Sequence, residues 1–281
     1  MTDEPDGRGA EPAPPLQSDL SPSERRDRIA EYVLGREWAA ARDLAAMFDV
    51  SLMTIHRDLD ELERMGVLRK MRGGATPQPS SLFESNVRYR LGKAKAEKEA
   101  VARHALRLIE PGQAVLLDDA STTLALARLL PAVAPLTVIT NFRHSMDALY
   151  GMPDIRLIAL GGEYFPHHDS FMGLICEGAL ATIRADIFFM STSAVSDGVA
   201  WHQEPITVSA KRAMLQAASK RVLLIDHGKL GKVALHQLAP LSAFDLVIVD
   251  AGIDERGREA LREAHIRFEI APLDNAREDA T

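Results

Sequence analysis

Ser51-Leu-Met-Thr-Ile-His-Arg-Asp-Leu-Asp-Glu-Leu-Glu-Arg-Met-Gly66 is the stretch on which the reading of this chain turns. Ile55, Leu59 and Leu62 recur at i, i+4 and i+7, the period of one apolar stripe on an α-helix. Ser51 stands where its hydroxyl satisfies the orphan N–H groups of the first turn. Gly66 stands where a helix stops. With the stripe turned to a core, Thr54, His56, Arg57 and Asp60 point elsewhere. Taken alone, these features describe an ordinary surface helix as well as a recognition element.

The neighbouring residues separate the two. Upstream, Ser21-Pro22-Ser23-Glu24 is a capping box with proline at the first helical position, and the helix it opens carries Ile29 and Val33 inward. A second short helix fits Ala41–Phe48, and Asp49-Val50 leaves only a tight turn before Ser51. Three helices with so short a turn before the last follow the helix-turn-helix plan, in which the N-terminal residues of the last helix enter a major groove. Downstream, Val67–Ala75 alternates around basic residues and breaks at Gly73-Gly74. This is the pattern of a β-hairpin wing whose Arg69, Lys70 and Arg72 meet phosphates.

The run from Arg26 to Ala75, with Leu44-Ala45, Val50-Ser51, Met53-Thr54-Ile55, Arg57-Asp58-Leu59, Leu62-Glu63, Gly66 and Gly73-Gly74-Ala75, resembles the winged helix of DeoR-family transcriptional regulators. The resemblance implies DNA contact through Ser51, Thr54, His56, Arg57, Arg69, Lys70 and Arg72. The chain reads His56-Arg57 where the family usually has Arg-Arg. An imidazole is a weaker, pH-dependent partner for phosphates and bases than a guanidinium.

Charge is unevenly spread over the 281 residues, whose net value is −7. Residues 1–19 hold one arginine against five acids, whereas residues 20–79 hold ten basic and ten acidic side chains. The candidate DNA-binding module is thus neutral overall. It relies on the clustering of Arg57, Arg64, Arg69, Lys70 and Arg72, and on two modules acting on one operator. A hydrophobic fraction of 46% supplies packed cores for two domains. The single cysteine, Cys176, forms no internal disulfide and reads as a small buried hydrophobe in a reducing cytoplasm. No apolar run approaches the roughly 20 residues that span a bilayer, so no membrane partner is expected.

The pattern divides the chain into a disordered tail (1–20), an α+β winged helix-turn-helix domain (21–76), a linker (77–91), an α/β domain (92–272) and a flexible tail (273–281). Prolines in Thr76–Ser81 deny the linker both helix and ladder hydrogen bonds. Lys93–Ile109 reads as one long helix with Val101, Ala105 and Leu108 inward, ended by Pro111-Gly112. From Ala114 onward, short apolar runs alternate with helical stretches: Ala114–Asp118, Leu136–Thr140, Ile155–Leu160, Ile187–Met190, Val222–Ile225 and Leu246–Val249. Runs without polar alternation suit a mainly parallel sheet buried on both faces.

In such sheets ligands sit beyond the carboxyl ends of the strands. Asp119-Ala-Ser-Thr-Thr123 lies at one of these ends, where Ser121 and Thr122 either receive a phosphate or cap the helix. Thr140-Asn141 and Gly161-Gly162 end the next two strands, and Lys211 and Lys229 are cations suited to an anionic ligand. The histidines of His167-His168, next to Asp169, point in different directions in most backbones, so no metal is expected. No cofactor is expected either.

Residues 85–255 also resemble the DeoR-type effector domain, whose fold is similar to that of sugar-phosphate isomerases. The match lies at Asp119, Ser121-Thr122-Thr123, Thr140-Asn141, Gly161-Gly162-Glu163, Gly173, Asp197-Gly198, Lys211, Asp226 and Lys229. The resemblance implies that a phosphorylated sugar or related metabolite is held by Asp119, Ser121, Thr122, Thr123, Asn141, Gly161, Gly162, Lys211 and Lys229, and that it alters DNA binding. Ala120 replaces a common glycine, and Thr207 replaces an acid one turn before Lys211.

Two functions follow as expectations. The first is a sequence-specific DNA-binding regulator, a repressor, modulated by a phosphorylated sugar and without catalytic residues. It would act as a homo-oligomer, because two-fold symmetry matches a palindromic operator. The alternative is a sugar-phosphate isomerase or transferase with an accessory helical module, drawing on Asp119, Glu204, Asp226 and Lys229.

Overall fold

The computed structural model describes residues 20–34, 36, 38–64, 67–77 and 87–273. All but the innermost residue of each expected tail, most of the linker and the Gly66 stop lie outside the described residues. The chain divides into two compact units, residues 1–83 and 84–281.

The first unit contains α1 (Pro22–Leu34), β1 (Ala39–Ala40), α2 (Ala41–Met47), α3 (Leu52–Arg64), β2 (Leu68–Met71) and β3 (Gly74–Pro77). The capping box of α1 is formed: Ser21 N donates to Glu24 Oε2 at 2.9 Å, and Glu24 N donates to Ser21 Oγ at 3.3 Å. Ile29, Val33, Leu44, Ile55, Leu59 and Leu62 are all fully buried, so the period read from the sequence is the packing face. Asp58 is buried on that same side of α3. Its carboxylate accepts from Arg25 Nε at 2.7 Å, with Arg26 at 3.7 Å.

The wing pairs Leu68 with Pro77 and Met71 with Gly74. It gains a third strand not anticipated from sequence, since β1 pairs Ala39 with Ala75 and Ala40 with Gly74. Pro77, expected to begin the linker, belongs instead to β3 together with Thr76. Proline is tolerated there because β1 reaches only Ala75 and Gly74, leaving that edge of Pro77 without a ladder bond to lose. At Gly74 the approach of β1 excludes a side chain: a Cβ would lie 2.2 Å from the Ala39 carbonyl oxygen and 2.6 Å from the Trp38 ring. Gly74→Ala is therefore expected to destabilise the unit by roughly 1–3 kcal/mol, read as a lower urea midpoint at unchanged slope. An unchanged midpoint would contradict the β1 pairing.

The second unit is built on a seven-stranded sheet of order β15-β14-β12-β9-β4-β5-β6, every pair parallel. Its strands are β4 (Ala114–Leu117), β5 (Leu136–Thr140), β6 (Ile155–Ala159), β9 (Ala185–Met190), β12 (Ala218–Ile225), β14 (Leu246–Asp250) and β15 (Phe268–Ala271). Leu116, Phe188, Leu223 and Val247 pack into one core. Their neighbours Val115, Leu117, Ile187, Phe189, Leu224 and Ile248 pack into another, on the opposite face. Two covered faces explain the unbroken apolar runs. The edge strand β15 was missed because Glu269 interrupts its apolar sequence.

Smaller antiparallel elements flank this sheet: a hairpin of β7 (Glu163–Phe165) and β8 (Ser170–Met172), and a sheet of β10 (Ala194–Ser196), β11 (Val199–His202) and β13 (His236–Pro240). Residues 87–91, expected as linker, form helix α4 (Val87–Gly92), which is anchored where buried Val87 meets Leu124 and Phe142. The expected helix Lys93–Ile109 is shorter, α5 (Lys95–Leu106). It is separated from α4 by Ala94 at φ +50°. The Lys98 ammonium explains the break, because it collects the carbonyl oxygens of Arg90 and of Lys93. Cys176 is fully buried, and burial pushes its thiol up to about 11. Among the described residues no helix is long and apolar enough to cross a membrane.

Candidate functional site

In the first unit the outer side of α3 is the candidate nucleic-acid surface. Ser51 Oγ accepts from Thr54 N at 3.1 Å, and the two hydroxyls are 2.9 Å apart, so both are engaged in the helix cap. Arg57, Arg69 and Arg72 are exposed, and His56 is half-buried. The Lys70 ammonium is paired with Asp60, while its backbone N–H donates to Glu63 at 2.8 Å. Of the wing cations named from sequence, Lys70 is thus engaged within the unit, while Arg69 and Arg72 are exposed.

In the second unit the site follows from strand order. After β4 the chain runs to β5 and β6 on one side. After β9 it runs to β12, β14 and β15 on the other. Connections leaving adjacent strands in opposite directions open a crevice at their carboxyl ends. Asp118-Asp119-Ala120-Ser121 follows β4, Ser191-Thr192-Ser193 follows β9, and Asp226 with Lys229 follows β12. A cavity of about 230 Å³ lies among them, roofed by Tyr89, Arg90, Lys93 and Lys98.

The floor of the crevice is a buried ionic network. Lys211 Nζ donates to Asp118 Oδ2 at 2.5 Å and to the Ser191 carbonyl at 3.0 Å, and lies 3.3 Å from Asp119 Oδ1. Asp118 also accepts from the N–H groups of Ala120 and Ser191 and from Thr123 Oγ1. Burial works against the Asp119 carboxylate. Lys211, Arg90, His168 and His202 nevertheless outweigh it and hold its pKa below the usual range. Burial pushes His168 down to about 4 and His202 well below its ordinary value. Both imidazoles are therefore neutral at physiological pH.

The upper part of the cavity is cationic. Arg90 Nη1 donates to the Asp119 carbonyl at 2.8 Å, while its Nε and Nη2 are buried without a partner. Burial, reinforced by nearby Lys229, pushes Lys98 down to about 7. Burial also lowers the Lys229 ammonium, which donates to the Thr192 carbonyl at 2.5 Å and to Ser191 Oγ at 3.3 Å.

Of the effector residues expected from sequence, Ser121, Lys211 and Lys229 line this cavity and Asp119 lies buried beside it. Ala120 is the N-cap of α6 (Ser121–Ala127) and makes no side-chain cap, so Ser121 is not spent on capping. Thr123 turns inward, donating to Asp118 and to the Ala120 carbonyl. Thr122 is buried and lies outside the cavity lining. Asn141, Gly161 and Gly162 are likewise not brought to the cavity, and Asn141 and Gly162 instead lie against the β7–β8 hairpin. Asn141 Nδ2 donates to the Phe171 carbonyl at 2.9 Å, and a Cβ on Gly162 would lie 2.4 Å from the Met172 carbonyl oxygen. Thr207, the departure noted one turn before Lys211, donates to Met172 Sδ at 3.7 Å, and Lys211 takes its counter-charge from Asp118.

Sequence reasoning missed Arg90, Lys98, the Ser191-Thr192 turn and His202. The available signal was the position of Ser191-Thr192-Ser193 directly after an apolar strand. For Arg90 and Lys98, a lysine-rich stretch reads as a solvated helix. Of the residues on which the catalytic alternative draws, Asp226 and Lys229 line the cavity, Glu204 is outside the lining, and Asp119 is committed to Lys211.

Two family models match the chain, the DeoR C terminal sensor domain over residues 93–251 and the DeoR-like helix-turn-helix domain over residues 25–80. The HTH-type transcriptional regulator YgbI of Escherichia coli K12 is 33% identical over 253 residues, covering 90% of this chain and 99% of that protein. The glycerol-3-phosphate regulon repressor of the same organism is 28% identical over 252 residues, covering 89% of this chain and 100% of that protein. Among solved structures, ribose 5-phosphate isomerase A of Methanocaldococcus jannaschii aligns at 18% identity with a TM-score of 0.35, over 47% of this chain and 53% of that one. Both units carry the family's match along their length, and the chain belongs to the DeoR family of DNA-binding transcriptional regulators.

Proposed function

We propose that a phosphorylated sugar or closely related metabolite binds the cavity at the ends of β4, β9 and β12, and that its binding changes the hold of the chain on an operator. The observation that carries this reading is the cationic roof, above all the buried, unpartnered Nε and Nη2 of Arg90 beside Lys98 and Lys229. Buried donors without partners are rare, and a phosphate oxygen satisfies them with charge-assisted hydrogen bonds. Ser121, Ser191 and Thr192 supply hydroxyls and backbone groups for the sugar. At about 230 Å³ the cavity suits a compact metabolite, below the roughly 300–1,000 Å³ of drug-sized sites.

The similarity to a glycerol-3-phosphate regulon repressor supports both the phosphorylated class and repression as the direction of control. The switch draws its energy only from a difference in the effector's affinity for the DNA-competent and DNA-incompetent states. A homo-oligomer in the cytoplasm, presenting two modules to a palindromic operator, fits the neutral charge of the first unit.

Thermal unfolding with a panel of sugar phosphates and their unphosphorylated counterparts tests the reading. A ligand at about 100 times its Kd adds roughly 2.7 kcal/mol to native stability, so one phosphorylated compound should raise the midpoint of the second unit while its dephosphorylated form does not. The gain should shrink between pH 7 and 9. A dianion favours the charged Lys98 amine, which lies near 7 without ligand, so binding above that pH must take up a proton. Lys98→Met should flatten this pH dependence. No shift with any phosphorylated compound would sink the assignment.

A further inference from the structure

The outer face of α3 carries an apolar side chain in a place where a surface helix gains nothing from one. Met53 is 65% exposed, the most exposed large hydrophobic residue among those described in the first unit. It lies on one face with His56, Arg57 and Asp60, at spacings of three, four and seven residues, opposite the buried Ile55, Asp58, Leu59 and Leu62. The polar groups around it are engaged. Ser51 and Thr54 hold the helix cap, and Asp60 is paired with Lys70 of the wing. In the first two turns, the outward groups left are Leu52, 41% exposed at the start of the helix, the more exposed thioether chain of Met53, the half-buried imidazole of His56 and the exposed guanidinium of Arg57.

The major groove offers one apolar feature, the C5-methyl of thymine, while guanine presents the acceptor pair that suits an arginine. A flexible, polarizable thioether closes well over a methyl group. Met53 and Arg57 are four residues apart, about 6 Å along the helix axis, close to two base-pair steps of roughly 3.4 Å. We propose that Met53 reads the C5-methyl of an operator thymine within two base pairs of the base contacted by Arg57. The proposal rests on α3 being the helix that enters the groove.

The test uses the full chain and operator duplexes recovered by selection from a random library. Each thymine of the recovered site is replaced in turn by deoxyuridine, which removes the methyl and nothing else. Loss of one buried methyl corresponds to about fourfold in affinity, so the native chain should weaken by about that factor at one thymine per half-site. Met53→Ala should bind the unmodified site more weakly by a similar factor and become indifferent to deoxyuridine at that position alone. Met53→Leu should retain the discrimination. Alanine is the best helix former and the site is exposed, so the fold is expected to survive, checked by the melting of the first unit. If Met53→Ala responds to every deoxyuridine as the native chain does, or binds the native site equally well, the proposal is overturned. Arg57→Ala separates this failure from failure of the docking. Weakened binding by Arg57→Ala with no role for Met53 overturns only the thymine reading, whereas undiminished binding overturns the placement of α3.

Discussion

Asp118→Ala is expected to destabilise the second unit by about 3–5 kcal/mol, because it leaves a buried lysine without its principal counter-charge. Lys211 is 2% exposed and Asp118 is fully buried, so neither recovers hydration when the other is removed. The loss extends beyond the ion pair, since the N–H groups of Ala120 and Ser191 lose their acceptor as well. Asp119, 3.3 Å from Lys211, supplies only part of the compensation. Denaturant unfolding of the full chain followed by a probe of the second unit measures the effect as a lower midpoint. The double variant Asp118→Ala with Lys211→Met should recover much of the loss, because removing both charges is far less costly than stranding one. A single-variant loss below about 1 kcal/mol would mean that Asp119 alone holds Lys211. The β4 end would then lose its role as the organiser of the crevice.

That network also shows where sequence reading ends. Asp118 and Lys211 are 93 residues apart, and no local period links them. The apolar runs carried the sheet because burial on two faces imposes a local pattern that needs no partner to be recognised. The position of the crevice follows from strand order, which the runs do not encode, so the residues at the strand ends were identified as a group and sorted only by the structure. Ser121, Lys211 and Lys229 reached the cavity, whereas Gly161 did not and Asn141 and Gly162 lie against a hairpin. Arg90 and Lys98 escaped for a related reason. Lys98 is defined by carbonyls at the end of the preceding helix, and main-chain partners leave no trace in side-chain periodicity. In the first unit the stripe of Ile55, Leu59 and Leu62 was readable. The burial of Asp58 was not, because it depends on a guanidinium 33 residues away.

Removing that guanidinium gives the second large effect. In the combined variant Arg25→Ala with Arg26→Ala, Asp58 keeps its burial on the packed side of α3 and loses both cations facing it. Stranding a buried carboxylate costs about 3–5 kcal/mol, a large part of the roughly 5–15 kcal/mol that stabilises a whole domain. The first unit should therefore melt well below its native midpoint, and operator affinity should fall with it. The second unit has its own core and should keep its midpoint, together with any shift produced by a phosphorylated ligand. Adding Asp58→Leu removes the stranded charge and should restore most of the stability of the first unit, since an apolar residue on that stripe packs beside Ile55, Leu59 and Leu62. Recovery of folding with Asp58→Leu but not of DNA affinity would assign the two arginines a direct part in holding the phosphate backbone. Unchanged melting of the double variant would show that the Asp58 pairing contributes nothing net to the winged helix.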